Sequence, residues 1–245
     1  MNNQETINIL NGLKLKGMSD AFASMVAMPM QERPGIEMGV ARMAEAEQMH
    51  RIDIRTAMFI KTSKLRYNAC LEDIECSVER NFTKEQLIEI ADCSFITRAE
   101  NLLITGLTGC GKSFLACAIG RQACHLGYRT EYLNMHKFIE RIALAKLDGT
   151  FLKLVSHLEK NHLIILDDFG LQPLDVNSRL ALLQILEERY ERKSVIVVSQ
   201  LPIDKWYDYI AEPTLADAIM DRLVNNAHHI EPLGQPIRKK TKKLK

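Results

Sequence analysis

Over residues 1–90 polar and apolar positions mix in a helical texture, and from residue 101 onward the apolar residues gather into short unbroken runs. Pro29, Pro34 and Gly35 punctuate the first stretch, and from Ile36 to Tyr67 only Gly39 interrupts a long proline-free segment. Thr83 followed by Gln86 has the spacing of a capping box that opens a short helix. The later apolar runs read as strands at 102–105, 130–133, 163–166 and 195–198, with helices expected at 112–126, 135–147, 150–160 and 175–192. Gly127 is placed to end the first of these helices. Runs without alternation suit strands buried on both faces, and helical crossovers imply a parallel sheet. The expected architecture is an α/β sheet flanked by helices, with a helical N-terminal region and a small helical end after residue 203.

Composition adjusts this picture little. Of the 245 residues, 47% are hydrophobic and 26% charged, the balance of a globular protein rather than a disordered one. No apolar run is long enough to span a membrane, and the first residues do not read as a secretory signal. Six cysteines at 70, 76, 93, 110, 117 and 124 include no CxxC pair, so buried thiols in a reducing cytoplasm are expected. The net charge of +1 conceals an asymmetry, since residues 238–245 carry six positive charges and leave the body mildly acidic. Such a tail suits a polyanionic partner without requiring one.

The candidate chemistry begins at Gly106-Leu107-Thr108-Gly109-Cys110-Gly111-Lys112-Ser113, which matches G-x-x-x-x-G-K-[ST] between an expected strand and an expected helix. Glycines let the backbone curl so that its N–H groups face phosphate oxygens at the positive end of the next helix. Lys112 would reach the β- and γ-phosphates of a nucleotide such as ATP, and the Ser113 hydroxyl would ligate Mg²⁺. Asp167 and Asp168 follow the run 163–166, at the end of a strand where open α/β sheets bind ligands. Asp167 is expected in the Mg²⁺ shell and Asp168 as the acid that orients the attacking water. A second carboxylate favours hydrolysis over transfer to a small molecule. Gln200, just beyond the run 195–198, has an amide that would contact both the γ-phosphate and the water.

Together, the 106–113 cradle, Leu-Asp-Asp-Phe-Gly at 166–170, Ser-Gln-Leu-Pro at 199–202 and the segment 216–224 resemble the IstB-like transposition helper ATPases. These are AAA+ P-loop proteins encoded beside a transposase in bacterial insertion sequences, and are similar to DnaC-type helicase loaders. The segments 64–69 and 98–106 extend the resemblance over nearly the whole chain. It implies sites completed between neighbouring subunits of a self-associating ATPase, with Gln200 as sensor 1 and Arg222 as the arginine finger. Taken alone, Arg222 reads as an ordinary helix-surface charge. Arg238 falls at the sensor-2 position, although Pro236 stands where the family commonly shows serine.

Arg51, Arg55, Lys61, Lys64 and Arg66 face a single acid, Asp53, between residues 51 and 67. By themselves they read as a solvated charged face, with Arg51, Arg55 and Arg66 on one helical arc. The resemblance implies that the N-terminal region contacts DNA, here duplex DNA without regard to sequence, because no base-reading motif is present. The expected organisation is a DNA-binding region at 1–80, an ATPase domain at 81–237 and a basic tail at 238–245. The leading expectation is a cytoplasmic, ATP-dependent helper that oligomerises on DNA and serves a transposase. Its rivals are a helicase loader of the same fold, a small-molecule P-loop kinase, and a DNA-binding module that uses ATP only as a switch.

Overall fold

The computed structural model describes residues 2–233. Arg238 and the basic tail therefore lie outside the described residues. The chain divides into two compact units, Met1–Met58 and Phe59–Lys245. Residues 59–80, grouped with the N-terminal region in the expectation above, thus belong to the unit that carries the sheet.

The first unit contains α1 (Asn3–Gly12), α2 (Lys16–Ala27) and most of α3 (Ile36–Ser63). Asn2 and Glu5 form a capping box at the start of α1. Helix α2 has no side-chain cap of its own. Glu47, on α3, supplies one instead: its Oε2 accepts from the backbone N–H of Gly17 at 2.9 Å and of Met18 at 3.3 Å. Gly17 permits this approach, because a Cβ there would meet the backbone of Ala46 and Glu47. Arg51 donates to Glu47 Oε1 at 2.7 Å. That guanidinium, foremost, and the two amides hold the Glu47 carboxyl below its ordinary range.

The second unit is built on five parallel strands in the order β2-β3-β4-β1-β5. They are β1 (Asn101–Ile104), β2 (Thr130–Asn134), β3 (Leu163–Phe169), β4 (Ser194–Ser199) and β5 (Ala227–Ile230). The four expected strands are present within a few residues of their expected bounds. Strand β5 was not anticipated, because Ala-His-His-Ile is partly exposed at a sheet edge and offers no apolar run. Helices α4 (Lys84–Ala91) and α5 (Ser94–Thr97) precede the sheet. Thr83 and Gln86 form the expected capping box on α4.

Both faces of the sheet are covered, which is why its strands lack alternation. One face packs Leu102, Ile104, Ile165 and Ile196 against α6 (Lys112–His125). The other packs Leu103, Ile164, Leu166 and Val197 against α7 (Met135–Leu147), α8 (Phe151–Glu159) and α9 (Val176–Arg189), with α10 (Trp206–Ile210) and α11 (Pro213–Val224) closing that side. Gly127, at φ +88°, follows α6 in the left-handed conformation that ends a helix. Four of the six cysteines, Cys93, Cys110, Cys117 and Cys124, are buried. Burial pushes the Cys93 thiol up to about 12.

Arg189 is a charged side chain that stands inside this core. It is 1% exposed, and its guanidinium donates to the carbonyls of Leu158, Asn161, His162 and Ser194 at 2.8–3.2 Å. Burial draws its pKa down to about 9, so it remains a cation at neutral pH. It ties together the end of α8, the start of β3 and the start of β4. Arg189→Ala strands buried carbonyls and is expected to lower unfolding free energy by about 3 kcal/mol or more. Exposed Arg192→Ala should stay within about 0.5 kcal/mol of wild type. Urea denaturation of both variants checks the contrast.

Candidate functional site

The carboxyl ends of β1, β3 and β4 converge on a cleft of about 490 Å³. Strand β4 lies between β1 and β3, so the loop after β1 is flanked by the end of β4 before the acids of β3 are reached. That loop is the 106–113 cradle. Gly106, Gly109 and Gly111 take φ of +136°, +89° and +96°, conformations that favour glycine. At Gly106 a Cβ would also come within 3.0 Å of the Pro232 carbonyl oxygen. Lys112 is 6% exposed and donates to the carbonyls of Gly106 at 2.7 Å and Leu107 at 2.8 Å. The loop thus curls around its own ammonium, and Leu107, Thr108, Cys110 and Ser113 follow that curl at the N-terminus of α6.

The acids lie at an irregularity in β3. Leu166 pairs with Val197 and Phe169 with Ser199, so β3 carries one extra residue between them. Asp168 occupies the left-handed region at φ +63°, which aspartate and asparagine tolerate better than most residues. Phe169 fixes the far side of the bulge. It is buried, with its ring 4.8 Å from that of Trp206 and 5.1 Å from that of Tyr209, and its carbonyl accepts from Ser199 Oγ at 2.7 Å.

Asp167 is fully buried. Its Oδ1 accepts from Ser113 Oγ at 3.0 Å and from the Asp168 backbone N–H at 2.9 Å, and its Oδ2 accepts from the Tyr132 hydroxyl. Burial, most of all, raises the pKa of this carboxyl, and the Asp168 charge adds to the rise while the Tyr132 and Ser113 hydroxyls oppose it. Asp168 is partly exposed, and its Oδ2 accepts from Asn134 Nδ2 at 2.7 Å. Gln200 reaches the cradle as well, with Thr108 donating to its Oε1 at 2.6 Å. Ser113 and Asp167 put two hard oxygens side by side below a phosphate-shaped loop, a donor set that fits Mg²⁺ bound largely through nucleotide phosphates. Lys112, Asp167, Asp168 and Gln200 therefore meet where the spacing of the sequence places them.

The basic residues of 51–66 separate. Helix α3 ends at Ser63 and Lys64 turns into the left-handed region at φ +55°, so Arg66 does not share a helical arc with Arg51 and Arg55. Arg66 enters the cleft instead, with Nη1 3.6 Å from Asp168 Oδ2 and 3.9 Å from Asp167 Oδ2. Arg51 is engaged with Glu47, whereas Arg55, Lys61 and Lys64 are exposed. Arg222 stands apart from the cleft, 2.7 Å from Glu187 and 3.1 Å from Asp221, over the ring of Tyr190.

Sequence reasoning missed Arg66 as a cleft residue, and with it Arg80, whose guanidinium donates to the Cys110 carbonyl at 2.9 Å and pairs with Glu75 at 3.1 Å. Tyr132 and Asn134 were missed too. Their signal was available in part, since both fall at the end of the strand beside the acids, and Asn134 is in register with Asp167.

Residues 8–245 match the family model described as IstB-like ATP binding protein. An insertion sequence ATP-binding protein of Sinorhizobium fredii is 38% identical over 234 residues, which cover 96% of each chain. Among solved structures, DnaI superposes with a TM-score of 0.58 at 19% identity, over 68% of this chain and 92% of that one. Replication initiator DnaA bound to AMPPCP and single-stranded DNA gives a TM-score of 0.58 at 21% identity, over 74% of this chain and 56% of that one. At these identities the two structures share the fold with this chain.

The geometry gives the loop lysine and the exposed acid different tasks. Lys112→Ala should abolish tight ATP binding, because it removes the ammonium that the Gly106 and Leu107 carbonyls hold inside the loop. Asp168→Asn suits the left-handed backbone and should retain ATP while losing hydrolysis. Calorimetric binding and phosphate release, measured on the same preparations, check both outcomes. Wild-type turnover in both variants would remove these residues from the chemistry.

Proposed function

Because the chain belongs to the IstB-like ATP-binding family, we propose that it is an ATPase of an insertion sequence, one that assembles on duplex DNA and serves the transposase of the same element. The carrying observation is the meeting of Ser113 and Asp167 at 3.0 Å directly beneath the Gly106–Ser113 loop. That is the arrangement a magnesium-bound triphosphate requires. The metal, when bound, would draw charge from the β- and γ-phosphates. Lys112 would leave the loop carbonyls for phosphate oxygens, and Gln200 would exchange its bond to Thr108 for the γ-phosphate and the attacking water. Asp168, steadied by Asn134, would accept the proton of that water.

In this reading Arg222 serves a neighbouring subunit. It lies away from its own cleft, and a guanidinium stabilises charge spread over phosphoryl oxygens better than an ammonium does. Contact with DNA would come from Arg55, Lys61 and Lys64 as phosphate contacts without base reading, with Arg51 doubling as the partner of Glu47. The protein would work in the cytoplasm in association with DNA. A helicase loader is the rival, favoured by the fold shared with the DnaC helicase loader. The relative from an insertion sequence weighs toward transposition. Pull-down against the element's transposase and against the replicative helicase separates the two readings.

Arg222→Ala should bind ATP nearly normally and hydrolyse it about a thousandfold more slowly. Mixed with Asp168→Asn in the presence of ATP and DNA, it should recover turnover above either parent, because some junctions pair an intact site with an intact arginine. Flat inactivity in assemblies shown to be mixed would return Arg222 to a surface role.

Duplex binding should weaken steeply with salt and hardly respond to sequence. Each phosphate contact adds about −0.9 to the log–log slope. Replacing Arg55 and Lys61 by alanine should flatten that slope as well as lower affinity. Weaker binding at an unchanged slope would mark them as structural.

A further inference from the structure

Two adjacent carboxylates, one of them wholly buried, need a positive charge nearby. Lys112 does not supply it, being engaged by the carbonyls of its own loop. Among the described residues Arg66 is the cation within 4 Å of Asp167 and Asp168. Its placement is built rather than incidental. Leu65 docks on α6 at Gly120, where a Cβ would lie 3.0 Å from Leu65 Cδ2. Tyr67 packs against Phe114 of α6 with ring centroids 6.0 Å apart. The Cys117 sulfur, on the same helix, meets the backbone amides of Arg66 and Tyr67. The residues on either side of Arg66 are thus fastened to the helix that the phosphate loop leads into. The guanidinium itself is 44% exposed in the cleft, 5.3 Å from the Tyr67 ring, with the Tyr132 hydroxyl as a further partner.

We propose that Arg66 senses the terminal phosphate within its own subunit: it is the counter-ion of Asp167 and Asp168, and it moves to the γ-phosphate when ATP binds. The proposal rests on the ATP reading above and assigns a residue to it. A planar guanidinium pairs as readily with phosphate as with carboxylate oxygens. With a triphosphate bound, Asp168 loses its ion pair and is released to act on water. With a diphosphate there is no terminal phosphate for Arg66 to reach, and the ion pair persists. The carboxylates would then be discharged from Arg66 only when a hydrolysable ligand is present.

The test measures equilibrium binding of AMPPCP and of ADP, each with Mg²⁺, to the full chain by calorimetry. Arg66→Ala should weaken AMPPCP about tenfold or more, the loss of one charge-assisted contact, while ADP changes by less than about threefold. Arg66→Lys retains the aliphatic stem and a charge without the fork, and should fall between. Should Arg66→Ala not fold, Arg66→Gln keeps the stem against Tyr67 and carries the same expectation. Equal losses for both nucleotides would make Arg66 a structural anchor and overturn the proposal, as would no loss for either. Failure of the wild type itself to bind either nucleotide, matched by Lys112→Ala, would instead overturn the ATP reading on which the proposal depends.

Discussion

A buried carboxylate cannot be left to itself, and the architecture around Asp167 follows from that requirement. Its two oxygens are met by a serine from the phosphate loop, a tyrosine from β2 and a backbone amide created by the bulge in β3. Each partner comes from a different segment, so satisfying one side chain fixes the loop after β1, the end of β2 and the end of β3 against one another. The bulge adds the second acid at a different angle. In a regular strand Asp168 would project to the opposite face of the sheet from Asp167; the extra residue and the left-handed backbone turn both carboxyls toward the cleft.

Elsewhere the same logic recurs with the charge reversed. Arg189 is a buried cation whose partners are carbonyls rather than acids, and it locks the opposite ends of β3 and β4 from those that line the cleft. The sheet is thereby pinned at its amino end by a cation and organised at its carboxyl end by an anion. In the first unit Glu47 performs a smaller version of the task, capping a helix that brings no cap of its own. Polar groups placed at long range specify the geometry between elements that the apolar core only presses together.

Much of this was legible in the residues. Apolar runs bounded by glycines and helical stretches located β1 to β4, because a strand buried on both faces leaves a signal that few other structures produce. The phosphate loop and the acid pair were legible for a different reason: their chemistry demands fixed residue types at fixed spacing. Strand β5 was not, since an edge strand of mixed polarity borrows its conformation from its neighbour. The position of Arg66 was not legible either. It depends on where α3 stops, and Ser63-Lys64 carries none of the glycine or proline punctuation that usually marks such an end. Continuing the helix three residues too far carried Arg66 onto a surface arc and away from the carboxylates. Tyr132 and Asn134 were hidden by a related effect, for their meaning depends on the pairing of β2 with β3, which a single strand does not display.

The Lys112 ammonium bonded to the carbonyls of Gly106 and Leu107 carries a consequence for the timing of events in the cleft. A loop whose carbonyls hold its own cation makes a phosphate ligand compete with the protein for the lysine before it gains from it. Observed affinity is then a difference between two well-satisfied arrangements, and the barrier between them is set by breaking short internal bonds in a confined space. Small anions that approach singly have little to offer in that exchange. A chain of linked phosphates, able to take the lysine and the loop amides in one concerted replacement, has the advantage. A loop built in this way would favour linked phosphates over single anions before any base or sugar is recognised.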